Sequence, residues 1–195
     1  MTMTVDPETI YDFWFGGPNR DEFGQSRKAW FVKDAAFDAE IQQRFLTTLE
    51  SAQRGELPHW RDDPRHCLSL IILLDQFPRN MFRDTPRAFA TDAVALEAAR
   101  WAIAQCYHQA VISVERIFYY LPFEHSESLA DQARCVALVQ ALVNEDPSRA
   151  DFFDYALRHQ AVIAQFGRFP HRNRILGRAS TQAECEFLQQ PGSAF

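Results

Sequence analysis

The chain has 195 residues and a net charge of −6, and nearly half of its residues are apolar, including 17 Phe. That is enough to bury a core within the size of one domain, and it excludes disorder over most of the length. The acidic balance argues against a general nucleic-acid binder while leaving room for a local basic pocket.

Apolar residues recur at helical spacing almost throughout, and no stretch alternates as a strand. Asp6-Pro7-Glu8 opens a first helix, with Asp as cap and Pro at the first helical position. That helix presents Ile10, Phe13 and Trp14 and stops at Gly16-Gly17-Pro18. Asn19 to Lys28 reads as a loop or short turn. A longer helix is predicted from Asp38 to Arg54, with Gly55 placed to end it. Cys67 to Phe77 is apolar nearly all round, the pattern of a buried central helix, and Pro78 is expected to end or kink it. Thr91-Asp92 starts the next helix, and Ser113 caps another that runs to Leu121. Ser128-x-x-Asp131, Ser148-x-x-Asp151 and Thr181-x-x-Glu184 resemble capping boxes before the last three.

Nine or ten helices with short connections predict helical pairs stacked side by side. No linker-like composition divides the chain, so residues 1–195 are expected to form one all-α domain. Met1 to Pro7 carries no secretory pattern, and the apolar run Leu68 to Leu74 is too short to cross a bilayer. Cys67, Cys106, Cys135 and Cys185 are widely spaced, as expected of reduced thiols in the cytoplasm.

Three stretches set charged side chains in a frame of Phe, Pro and Gly directly after apolar helices. They are Asp75-Gln76-Phe77-Pro78-Arg79-Asn80, Leu121-Pro122-Phe123-Glu124-His125 and Phe166-Gly167-Arg168-Phe169-Pro170-His171-Arg172-Asn173. A carboxylate at Asp75 faces the negative end of its helix dipole inside an apolar helix, so something must compensate it. An ion pair with Arg79 or a later Arg would staple two helices; a ligand-facing or general-base role is the alternative. Asn80 follows the proline and can point into a groove, whereas Arg83 and Arg87 read as solvated loop residues. Glu124 beside His125 can tune an imidazole for acid–base work, or can simply favour the start of the next helix, as can Glu127. His159 falls on an apolar face, the position either of a core histidine or of an imidazole brought to the same site. Arg168, Arg172, Arg174 and Arg178 crowd the last stretch with His171 and Asn173, an electropositive spot in an acidic protein. Of the twenty basic residues only Lys28 and Lys33 are Lys, and Arg grips carboxylates and phosphates bidentately.

No H-E-x-x-H spacing, G-x-S-x-G elbow, Walker motif or dinucleotide glycine motif is present, so no metal, cofactor or nucleophilic hydrolase is expected. The charged motifs are expected to converge around Asp75, Glu124, His125, Arg168 and His171, with Arg79, Asn80, His159, Arg172, Asn173 and Arg178 completing the ligand-binding set. The ligand is expected to be a small anion, a carboxylate or a phosphate. Two other functions fit the same residues: an adaptor whose groove holds an acidic peptide, or motifs that are internal staples only.

In Leu73 to Asn80, Leu121 to Ser126, Gly167 to Asn173 and Leu176-Gly177-Arg178 the chain resembles an uncharacterised, mainly bacterial family, the domain of unknown function 924. The resemblance runs from Phe13-Trp14-Phe15 to Phe187-Leu188. It implies an α–α superhelix of tetratricopeptide-like type and carries no established activity, so whether the protein is an enzyme stays open. Asp84 stands where the family pattern leads one to expect Gly, and Ala133 where Glu is common.

Overall fold

A computed structural model describes residues 4–17 and 23–193. Pro18 and the first part of the expected Asn19–Lys28 loop lie outside these residues. Among the described residues the chain is all-helical, with eight α-helices, six short 3-10 helices and no strand.

Local chemistry explains most of the boundaries. In α1 (Pro7–Phe15), Asp6 accepts the Glu8 N–H at 2.9 Å, Pro7 sits in the first turn, and Gly16 ends the helix at φ +77°. α2 (Ala35–Gln53) starts before the expected Asp38, because Asp34 accepts two N–H groups, from Ala36 and Phe37. α3 (Pro64–Met81) is capped by Asp63, and every residue from Cys67 to Pro78 is buried. Pro78 does not end α3. Its missing N–H would leave the Leu74 carbonyl without a helical donor, and the Thr91 hydroxyl donates to that carbonyl instead, at 2.5 Å. The helix therefore continues to Met81.

α4 spans Asp92–Ala104 and α5 Ser113–Glu124, so α5 passes through Pro122 rather than stopping at Leu121. α6 (Leu129–Glu145) has Ser128 at its cap position, but Ser128 makes no side-chain cap; Ser126 Oγ donates to Asp131 and accepts the Ser128 N–H. Before α7 (Ala150–Phe166), Asp146 caps a 3-10 turn over Pro147–Arg149, so the expected Ser148–Asp151 box does not form. Gly167 closes α7 in the left-handed region at φ +69°. The box at α8 (Gln182–Leu188) does form, with reciprocal bonds between Thr181 and Glu184.

The chain divides into two compact units, one comprising residues to Arg83 with Arg87–Pro122, the other Asp84–Pro86 with the chain from Phe123 onward. In the first, α3 packs against α1, α2 and α4. Trp14, Trp30, Phe13, Phe45, Phe77 and Phe118 bring their rings to centroid distances of 4.9–6.1 Å around it. Tyr11 donates to the buried Glu115, tying α1 to α5. In the second unit α6 pairs with α7, and Val162, Ile163 and Phe169 form a core joined by Phe166 and Phe187.

Asp84 adopts φ +60°, the left-handed conformation that glycine takes without strain. Asp84→Gly should therefore raise stability by about 0.5–1 kcal/mol, the relief of backbone strain exceeding glycine's entropy cost. A chemical-denaturation midpoint equal to or below that of the wild type would contradict this.

Candidate functional site

The first charged stretch builds a network within the first unit. Asp75 is 1% exposed and accepts from Gln76 Nε2 at 2.6 Å. Arg79, one turn on, lies 3.5 Å from the Asp75 carboxylate and donates to the Asp75 carbonyl at 2.6 Å. Its fork closes on Asp92 at the start of α4, at 2.8 and 3.0 Å. Burial disfavours the Arg79 charge, but Asp75 and Asp92 outweigh it and raise the guanidinium pKa. Asn80 donates to Asp38, and Arg83, expected to be solvated, grips the same carboxylate bidentately at 2.6 and 2.9 Å. Burial pushes the Asp38 pKa up, yet the Arg83 and Asn80 bonds more than offset this and hold it below the usual range.

The second and third stretches meet inside the second unit. Glu124 ends α5 and is buried, and its carboxylate lies 3.3 Å from His159 Nδ1 on α7. On its other side the Cys135 thiol of α6 donates to it at 3.9 Å, and burial raises that thiol's pKa well above its ordinary value. His159 Nδ1 is also 2.9 Å from the Tyr155 carbonyl. A carbonyl only accepts, so Nδ1 carries the proton and Nε2 the lone pair.

Phe169, fully buried, is the hub of the third stretch. The His159 ring stands edge-on to it at 5.6 Å, the His171 ring is tilted at 5.5 Å, and the Arg172 guanidinium lies over its face at 4.5 Å. Burial lowers the His159 pKa to about 3; the Tyr155 bond opposes this, while His125, His171 and Arg172 reinforce it by charge repulsion. Burial and then Arg172 bring His171 down to about 4. The Glu124–His159 contact thus sets a carboxyl group beside a neutral imidazole and is not an ion pair.

The remaining Arg residues of this stretch are matched by carboxylates. Arg178 forks onto Glu127 at 2.7 and 2.9 Å and also reaches the Phe169 carbonyl and Asn173 Oδ1. Glu127 in turn accepts the Phe169 N–H at 2.8 Å. Burial pushes the Glu127 pKa up, but these bonds prevail and lower it. Arg168 forks onto Glu184 at 2.6 and 2.8 Å, and that bond holds the Glu184 carboxyl down to about 2. The pair sits at one wall of an open depression of about 510 Å³ lined also by Gln165, Phe166, Thr181 and Ala183.

Asp92, Asp38, Glu127, Glu184 and Cys135 complete these networks, although no spacing picks them out. Glu127 and Glu184 read locally as acids favourable to helix starts; their Arg partners come from 51 and 16 residues away.

The neutral imidazoles set a pH dependence. Folded His159 and His171 bind protons less readily than in the unfolded chain, whose imidazoles titrate near 6.5. Between that value and about pH 4 the unfolded state binds more protons, so stability falls as pH falls. Each imidazole that stays neutral adds about 1.4 kcal/mol per pH unit to the slope across this window. Denaturation midpoints between pH 7 and 4.5 should decline in the wild type and decline less in His159→Gln. Equal slopes in the two would contradict this assignment.

The DUF924 family model, described as bacterial protein of unknown function, matches residues 10–192. No curated protein matches the chain. Among solved structures, the protein of unknown function ATU0120 from Agrobacterium tumefaciens is similar, at 40% identity and a TM-score of 0.82, over 94% of this chain and 96% of that one. No helix of the described residues is long and apolar enough to cross a membrane. With the family model matching most of its length, the chain belongs to DUF924, the bacterial proteins of unknown function.

Proposed function

We propose that this protein binds a small oxyanion in the second unit, through Arg172, His171 and His125, beside the Glu124–His159 pair. One observation supports the reading above the others. His159 lies 3.3 Å from a carboxylate, yet burial first, and then His125, His171 and Arg172, keep its imidazole neutral. Arg172, the permanent cation over the Phe169 face, is the group that an anion would meet first.

Thermal-shift measurements with phosphate and with small carboxylates, alongside native mass spectrometry of the freshly purified protein, test this. An anion at a hundred times its dissociation constant should stabilise the wild type by about 2.7 kcal/mol. Arg172→Ala should abolish that gain. If no anion raises the wild-type melting temperature, the reading is wrong.

A second reading, in which the charged motifs act as helix staples, draws support from four bidentate pairs: Arg79–Asp92, Arg83–Asp38, Arg168–Glu184 and Arg178–Glu127. Under it, Arg168→Ala lowers stability and no anion-dependent stabilisation occurs in any variant. The two readings divide the residues between them if Arg168→Ala is destabilised but retains the anion response.

A further inference from the structure

We propose that the open depression between the end of α7 and the start of α8 docks an uncharged, extended polypeptide segment that carries an apolar side chain. None of its residues belongs to the Arg172, His171 and His125 set of the oxyanion reading. The inference follows from which groups of the lining the fold already satisfies and which it leaves over.

The depression measures about 510 Å³ and is lined by Gln165, Phe166, Arg168, Thr181, Ala183 and Glu184. Sites of that size hold whole drug-sized molecules, so there is room for more than one residue of a chain. It is open rather than enclosed, which suits a segment laid across it better than a small molecule that needs to be surrounded.

The charges of the lining cancel. Arg168 is its cation, and Nε and Nη2 grip the two Glu184 oxygens at 2.6 and 2.8 Å. Glu184 also accepts the Thr181 N–H at 2.7 Å. A bound anion would meet Arg168 with its counter-charge already in place, and a bound cation would meet Glu184 in the same condition. Either would lose hydration without gaining a full partner.

Hydrogen-bonding capacity, by contrast, is left over. Arg168 Nη2 continues to the Ala179 carbonyl at 2.9 Å, while the Nη1 N–H groups have no acceptor among the described residues. The Gln165 side chain is exposed and its carboxamide makes no hydrogen bond among those residues. Thr181 Oγ1 accepts the Glu184 N–H at 3.2 Å and finds no acceptor there for its own hydrogen. Nη1 and the hydroxyl are donors for carbonyl oxygens, and a carboxamide both donates and accepts, as a peptide group does. Phe166, half-buried with its ring 5.1 Å from that of Phe187, gives an apolar side chain an aromatic surface. A polypeptide backbone is neutral, rich in carbonyls and able to answer the carboxamide in both directions.

NMR titration of the amide resonances of the full chain with N-acetylphenylalanine methylamide tests the proposal. This neutral probe should shift the Gln165 side-chain amide and the Thr181 and Ala183 backbone amides, with a dissociation constant on the order of a millimolar. N-acetylphenylalanine, an anion, and phenylalanine methylamide, a cation, should each bind more weakly. A blocked alanine–phenylalanine–alanine tripeptide should bind several-fold more tightly than the single blocked residue. Gln165→Ala removes one hydrogen bond to the probe and none that the fold uses, so affinity should fall about fivefold at an unchanged melting temperature. Ala183→Glu suits the first turn of α8 and fills the depression, and should abolish binding. No shift at these amides, or a charged probe binding more tightly than the neutral one, overturns the proposal. A tripeptide that binds no better than the single residue does the same, as does a full response in Ala183→Glu. Shifts of the same amides on concentrating the protein alone would assign the depression to a second copy of the chain and also overturn it. Phosphate titrated into the same two variants keeps the oxyanion reading separate, since its response should be unchanged by either substitution.

Discussion

Replacing Arg79 with alanine is expected to cost about 3–5 kcal/mol of stability. Two carboxylates meet this guanidinium. Asp75 is 1% exposed, 3.5 Å from it, and cannot regain water without opening α3. Asp92 loses both arms of its fork and is more exposed, so it contributes less. Most of the loss is the uncompensated buried charge rather than the intrinsic strength of the pair. Arg79→Lys should recover only part of it, because an ammonium cannot span both Asp92 oxygens while also reaching the Asp75 carbonyl. Denaturant midpoints of the two variants measure this directly. A near-wild-type midpoint for Arg79→Ala, combined with lost anion binding, would instead move Arg79 from the staple to the ligand.

Phe169→Ala is expected to have an effect of similar size, about 3–5 kcal/mol, through the cavity it leaves in the second unit. The ring is fully buried and touches both neutral imidazoles and the Arg172 guanidinium. Water admitted to the cavity would solvate the imidazolium forms, so the His159 and His171 pKa values should rise from about 3 and 4 toward the ordinary value. Phe169→Leu, which keeps most of the volume, should lose less stability and shift the histidines less. Imidazole NMR titrations of the two variants distinguish burial from charge as the cause. If the pKa values stay low in Phe169→Ala, repulsion from Arg172 and His125 is the stronger influence.

The helical class was legible from the sequence because the 3.6-residue periodicity is local and continuous. So was the burial of Cys67 to Phe77, since that stretch has no polar face to turn outward. Caps at Asp6 and Thr181 were readable because their partners lie within one turn. Asp34 shows where local reading slips: the sequence points to Asp38, four residues later, as the start of α2, but that side chain is used by Arg83 and Asn80. The charged motifs were legible as unusual, and their matching was not. Whether Arg168 and Arg178 face a ligand or a carboxylate depends on Glu184 and Glu127, whose contacts form only when the chain folds back upon itself. Neutral imidazoles are similarly invisible in a string of letters, because burial rather than neighbouring sequence is the main cause of their shift.

The proline within α3 has a consequence for how the helix forms. Helices normally propagate by local closure, each new residue bonding one turn back. At Pro78 that local rule lapses, and the Leu74 carbonyl is completed by a hydroxyl from 17 residues along the chain. The last turns of α3, with Arg79 and Asn80 on them, therefore have one carbonyl completed by Thr91 at the start of α4 rather than by α3 itself. The two positions also form a unit in substitution: Thr91→Val strands a carbonyl only while position 78 is proline, so Pro78→Ala should make position 91 tolerant.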